Sequence, residues 1–331
     1  MGNNFDLLSV GDASIDVFMT PTESEAMCKI DTKDCYIAFS YGAKIPVRNL
    51  ETSVGGNAAN NSTGTKRLGI KTAIVITLGD DDIGGQIMNK LKLEEVDLTY
   101  AIQQTATASN YSTIISYSGE RTIFVYHAPR SYEFPIKIPS VPWVYLTSLG
   151  ENFRPFYNHM VEYIKKNPTT KLVFNPGSWQ MRAPVEQIKD VLSLSFLVYV
   201  NREEAEKLTG FKESTGKEKE LLNALCSMGP KTAIITDGAL GSFAFDGHKY
   251  LKTGIMPVEA YERTGAGDAF GSGSLSAIIK GKTLEEALLW GTVNSASVIG
   301  YVGPQRGLLK EVEINEWLGR AKSSGVVTQE F

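Results

Sequence analysis

Lys171-Leu172-Val173-Phe174-Asn175, Phe196-Leu197-Val198-Tyr199-Val200 and Thr232-Ala233-Ile234-Ile235-Thr236 are short apolar runs within one stretch, residues 171–236. Helical patterns separate them: Val185 to Leu194, then Glu203 to Thr209 and Glu218 to Met228. Each run is apolar nearly throughout instead of alternating, as expected for parallel strands covered on both faces. Strand, helix, strand in succession predicts a parallel sheet with helices on both sides.

The same rhythm extends outward. Toward the N-terminus, Leu7 to Val10, Thr72 to Thr77 and Val141 to Leu146 read as strands. Ala58 to Leu68, Ile83 to Leu93 and Phe156 to Lys166 read as helices. Toward the C-terminus, a helix runs to Ile279, and Leu284 to Leu289 and Gly291 to Ile299 give two further helical patterns. Two stretches break the rhythm. Within residues 18–54, Tyr36 to Tyr41 and Lys44 to Glu51 look like short strands around Gly42. Within residues 107–127, Tyr111 to Tyr117, the turn Ser118-Gly119-Glu120 and Thr122 to Tyr126 form a hairpin signature. The two excursions either pair into a separate small sheet or are unrelated surface insertions.

A chain of 331 residues fits one large α/β domain with a smaller appendage. At 42% hydrophobic and 21% charged, it can bury a sizeable core. A net charge of −4 argues against a nucleic-acid partner. No apolar run is long enough to span a membrane. No basic-then-apolar signal peptide opens the sequence, and Cys28, Cys35 and Cys226 are too sparse for a disulfide framework. Both points predict a cytoplasmic protein. His127, His159 and His248 pair with no cysteine at a zinc-ligand spacing.

The chemistry concentrates at Gly265-Ala266-Gly267-Asp268, just before a helix. Glycines let successive N–H groups turn toward one point, and a helix N-terminus attracts anions. A carboxylate at that spot makes sense if it takes a proton from a hydroxyl attacking a phosphate. Read alone, the stretch fits equally a tight loop with Asp268 as a helix cap. The Walker A, dinucleotide and nucleophile-elbow patterns are absent. A second cluster, Gly55-Gly56-Asn57-Ala58-Ala59-Asn60, offers close backbone and amide side chains. It suits a polyhydroxylated ligand, or a turn and a cap. Asp16 follows the first strand, where ligands of open α/β sheets gather. By itself such a residue is more often a solvated loop acid.

Four pieces in order resemble the ribokinase-like (PfkB) family of carbohydrate and nucleoside kinases. They are Gly55-Gly56-Asn57 through Leu68-Gly69, Asn201-Arg202-Glu203-Glu204, Thr236-Asp237-Gly238-Ala239-Leu240-Gly241, and Arg263-Thr264-Gly265-Ala266-Gly267-Asp268. The resemblance covers nearly the whole chain. It implies a three-layer α/β/α sandwich with a mostly parallel central sheet and a small β-sheet lid. The core would be residues 1–17, 55–106 and 128–331, and the lid 18–54 and 107–127. It implies ATP-dependent phosphorylation of a hydroxymethyl group on a sugar, with a nucleoside as the alternative acceptor. A silent binding protein on the same fold is a third reading.

Carried over residue by residue, Asp268 resembles the base, and Gly265, Ala266 and Gly267 the anion hole. Asp16, Gly55, Gly56, Asn57 and Asn60 resemble the acceptor set, with Ser14 where some members place an amide. Glu151 falls near a sugar contact. Asn201 and Glu204 resemble the groups around Mg2+ and its waters, with Asn175 on the same polar floor. Thr236, Gly238 and Gly241 resemble the ATP loop, and Asn294 a neighbour of the adenine. The family signature opens Asp-Thr where this chain has Glu262-Arg263, which leaves K+ activation open and predicts that Arg263 contacts ATP phosphates. Arg121, after Gly119-Glu120, would reach an acidic or phosphorylated sugar or simply close a hairpin. Tyr111, Tyr117, Phe124, Tyr126 and His127 offer a stacking surface for a purine, or simply pack the lid. A homodimer through the lid is implied as well.

Overall fold

The computed structural model describes residues 5–22, 25–28, 35–117, 120–135 and 137–331. The turn residues Ser118 and Gly119 lie outside the described residues. Nine strands form the central sheet. Their spatial order is Thr328–Glu330, Tyr250–Thr253, Ser242–Phe245, Thr232–Thr236, Ser195–Asn201, Lys171–Phe174, Trp143–Leu146, Leu7–Val10 and Thr72–Val75. From Thr232–Thr236 to Thr72–Val75 every pairing is parallel, and the remaining edge is antiparallel.

The strands read as continuous apolar runs because both faces are covered. Leu7–Val10, Thr72–Val75 and Trp143–Leu146 are buried at every residue. Alternate side chains feed two cores. Leu8, Val10, Val144, Leu146 and Phe174 pack with Phe156, Met160 and Leu225 on one side. Leu7, Trp143, Tyr145, Val173 and Leu197 pack with Phe270, Leu275 and Leu288 on the other. Helices Arg154–Lys166 and Glu218–Ser227 therefore cover one face, and Ala266–Ile279 and Leu284–Val298 the opposite one. This is the expected three-layer sandwich.

A separate four-stranded sheet stands beside it, in the order Glu120–Tyr126, Asn110–Tyr117, Ser14–Pro21 and Val47–Gly55. The two excursions thus do pair, through the parallel register Asp16 to Ser112. The sheet already begins at Ser14, ahead of residue 18. Cys35–Ala38 does not join it but pairs with Glu25–Cys28. The two helical patterns at Leu284 to Leu289 and Gly291 to Ile299 are one helix, Leu284–Val298. Gly291 is a contact point there and no break: a Cβ would overlap Ser274 of the neighbouring helix. No helix among the described residues is long and apolar enough to cross a membrane.

Candidate active site

Gly265 caps helix Ala266–Ile279 with φ +81°, and a Cβ there would overlap Pro304. Only glycine fits both constraints. The next N–H groups lie in the first helical turn; that of Ala266 donates back to the Arg263 carbonyl at 3.2 Å, and those of Gly267 and Asp268 have no acceptor earlier in the helix. Helix Asn57–Arg67 crosses this helix closely, because Gly64 abuts Ser272. Asn57 and Asn60, one turn apart, therefore face Asp268 together. Asn57 donates its amide to Oδ1 of Asp268 at 3.1 Å and Asn60 donates to Oδ2 at 2.7 Å. Each amide is oriented from behind: Ser148 donates to Asn57 at 3.2 Å, and Gln305 donates to Asn60 at 3.1 Å. Burial pushes the Asp268 carboxyl up to about 6; the Asn60 hydrogen bond opposes this, the charge of Asp16 adds to it, and Asn57 opposes it.

Asp268 lies in a cleft of about 210 Å³ between the two sheets. Asp16, Gly56, Asn57 and Asn60 line it, as the sequence suggests. Ser14 donates to Oδ1 of Asp16 at 2.9 Å, and burial holds that carboxyl above its ordinary range. Gly55 contributes by being small: a Cβ would overlap the Asp16 carboxylate. Gly56, at φ +88°, packs on the backbone of Asp12 and Ala13. Reading the sequence missed Asp12, Ser112, Ser148 and Trp179, and saw in His127 only aromatic surface. Ser148 follows strand Trp143–Leu146, so the strand-end rule that found Asp16 would have found it.

On the other side of the Gly265 loop, Asn201 and Glu204 form a reciprocal cap at the start of helix Arg202–Thr209. Asn201 accepts from the Glu204 N–H at 2.8 Å, and Glu204 accepts from the Asn201 N–H at 2.9 Å. Burial, with the charge of Asp268, raises the Glu204 carboxyl above its usual range. Asn175 accepts from the Tyr145 hydroxyl at 3.0 Å and donates to the Tyr199 carbonyl at 2.7 Å. Tyr199 in turn donates its hydroxyl to the Gly267 carbonyl at 2.7 Å. Thr236 ends strand Thr232–Thr236, Gly238 and Gly241 lie on the loop after it, and a Cβ at Gly241 would overlap the Thr253 carbonyl. Arg202 ties this loop to the cap. It donates to Asp237, Ser214 and Glu218, each at 2.8 Å.

Some expected site residues lie elsewhere. Glu151 is exposed on a turn and does not line the cleft. Asn294 is fully buried between helices. It donates to the Ala269 carbonyl and Ser272 and accepts from the Leu309 N–H, so its amide is engaged within the protein. Arg121 lies 3.9 Å from Glu262, and both line a neighbouring cleft with Arg263. Glu262 is itself engaged by its loop: it accepts from the Thr264 N–H at 2.9 Å and from the Thr264 hydroxyl at 2.8 Å. Phe124 and Tyr126 are exposed, on the face of their strand opposite Ile123 and Val125, which do line the cleft of Asp268.

The family pattern described as "pfkB family carbohydrate kinase" matches residues 7–311. The chain belongs to that family. As a pfkB family kinase, it is a phosphotransferase with an alcohol acceptor. It is 26% identical to the ATP-dependent 6-phosphofructokinase of Thermoanaerobacterium thermosaccharolyticum, covering 90% of this chain and 89% of that one. It is 27% identical to a ribokinase of Haemophilus influenzae, covering 85% and 92%. Its fold is that of Arabidopsis thaliana ribokinase, solved in complex with ribose and ATP. That likeness has a TM-score of 0.78, at 19% identity, over 95% of this chain and 98% of that one.

Proposed function

We propose that this kinase phosphorylates a hydroxymethyl group of a sugar with ATP, using Asp268 as the general base. One observation carries the proposal: a carboxylate near neutral proton affinity, held by two amide donors, at the open N-terminus of a helix. The acceptor hydroxyl gives its proton to Asp268 as it attacks. The Gly265-Ala266-Gly267 turn would offer backbone N–H groups to the charge that develops on the transferred group. Asp16 and Asn57 hold the acceptor. ATP lies along Asn201, Thr236, Gly238 and Gly241. Glu204 is partly buried near the negative charges of Asp268 and Glu203, which suits a hydrated divalent ion. Magnesium bound there with the phosphates would neutralise their charge.

The four-stranded sheet acts as a lid that excludes water as a competing acceptor. It also presents Leu50, Phe124 and Tyr126 to solvent. Its outer strand Glu120–Tyr126 has a free edge. These features support a homodimer formed through the lid.

The test is ADP release with magnesium-ATP across D-ribose, D-fructose and inosine. Turnover on a sugar, lost in Asp268→Asn while ATP still binds, is the expected result. Near-native turnover by Asp268→Asn removes Asp268 as the base. Turnover on inosine alone selects the nucleoside reading, for which Trp179, Ile123 and Val125 would give the base its apolar surface.

A further inference from the structure

The acceptor cleft contains two buried polar atoms that the protein leaves unused. Asp12 is 3% exposed and lines the cleft. Its Oδ1 accepts from the Tyr132 hydroxyl at 3.4 Å, but its Oδ2 has no hydrogen-bond partner among the described residues. The same is true of Nδ1 of His127, which also lines the cleft. The two atoms lie 3.7 Å apart, too far for a hydrogen bond to each other. Trp179 stands edge-on to the His127 ring at 6.4 Å and closes that side. An unsatisfied buried acceptor and an unsatisfied buried donor both cost folding free energy. They persist at this spot, on the wall of a ligand cleft, and no hydrogen bond joins them to Asp268.

The cleft's charge is a second, independent observation. Asp12, Asp16 and Asp268 line it, and no lysine or arginine does. Arg130, whose charge reaches Asp12, does not line the cleft. Its guanidinium donates to the carbonyls of Thr77, Ala108 and Ala128 and to Asn110. Arg121 and Arg263 belong to the neighbouring cleft. A phosphate or carboxylate on the acceptor would meet three carboxyls, with no cation among the lining residues to offset them.

We propose that Asp12 and His127 form a hydroxyl-reading subsite that selects a neutral, unphosphorylated polyhydroxylated acceptor. One acceptor hydroxyl, other than the one phosphorylated, donates to Oδ2 of Asp12 and accepts from Nδ1–H of His127. Oδ2 of Asp12 favours the tautomer that carries its hydrogen on Nδ1. Burial and the nearby charges of Arg130 and Arg182 hold the imidazole below its ordinary proton affinity, so it is neutral when it donates. The subsite rests on the carbohydrate-kinase reading above and narrows its acceptor.

The test uses the full chain and its Asp12→Asn and His127→Gln variants. D-ribose, D-fructose and fructose 6-phosphate are the probes, read by thermal shift and by initial rates with magnesium-ATP. At least one neutral sugar should raise the melting temperature of the wild type, and fructose 6-phosphate should not. Both variants should raise the acceptor KM about tenfold or more, the loss of one hydrogen bond, with the KM for ATP unchanged. Without ligand, Asp12→Asn should melt at the same temperature as the wild type or higher, because burial disfavours the ionised carboxylate, pushing it up to about 7, and a neutral amide does not carry that cost. Tighter binding of fructose 6-phosphate than of neutral sugars overturns the proposal. So does an unchanged acceptor KM in both variants, or a clear fall in melting temperature for Asp12→Asn, which would make Asp12 a structural group. Sugar turnover with an unaltered variant KM sinks the subsite alone. Absence of turnover on every acceptor sinks the kinase reading and the subsite with it.

Discussion

At Asp268 one carboxylate has to lose its proton before transfer and take one during it, so its proton affinity sets the working pH. With that affinity raised to about 6, the base is protonated and idle below that pH. The acceptor kcat/KM should then fall about tenfold per pH unit on the acid side. The hydrogen bond from Asn60 favours the ionised form. Asn60→Ala removes it, so the acid limb should move to higher pH in a pH–rate profile. A limb that stays in place would mean that Asn60 does not act on the base. The segment Thr264 to Asp268 was legible in the sequence as a candidate phosphate site. The amides at 57 and 60 were legible as a polar pair but were read as sugar binders. Their contact with Asp268 depends on two helices crossing at Gly64 and Ser272, and nothing local in either segment announces that crossing. The Asp12 and His127 pair was hidden for the same reason.

Between elements, small residues set the distances on which the site depends. Gly64→Val would push helix Asn57–Arg67 away from Ala266–Ile279. It should lower stability by about 1–3 kcal/mol, the usual cost of overpacking, measured by denaturant unfolding, and lower kcat as well. An unchanged melting curve would mean that the helices can separate at little cost. Gly55→Ala tests a different contact. Its Cβ would occupy the place of the Asp16 carboxylate, so the acceptor KM should rise at least tenfold while the KM for ATP holds. Equal changes in both KM values would point to a general distortion. The parallel strands were legible because both of their faces are buried. The edge strands Ser242–Phe245, Tyr250–Thr253 and Thr328–Glu330 were not. Each includes polar residues within only three or four positions, too few to show a period and without the continuous apolar run that marks the parallel strands. The long helix Leu284–Val298 was read as two because a glycine looks the same in sequence whether it breaks a helix or seats a neighbour.

Over the whole molecule, the proposed pairing of lids calls for a dimer in solution. Light scattering should give twice the chain mass, and Phe124→Asp should shift it toward the monomer. A monomeric wild type would leave the exposed lid residues without a partner. The lid's attachment also carries a consequence. Strand Ser14–Pro21 leaves the central sheet strand Leu7–Val10 by way of Gly11, Asp12 and Ala13 only. Its partner Val47–Gly55 enters helix Asn57–Arg67 through Gly56 alone. Two of the hinges that join the door to the core therefore also carry the floor of the site. Swinging the door outward drags Asp16 and levers the first turn that carries Asn57 and Asn60, which strips Asp268 of its amide donors. An open enzyme would thus be a disarmed one, with its base holding a proton and no acceptor in place. Hydrogen exchange offers the check: on adding acceptor, the amides of Asn57 to Asn61 and those of the lid strands should slow together, and protection of one set without the other would show that the hinges move separately.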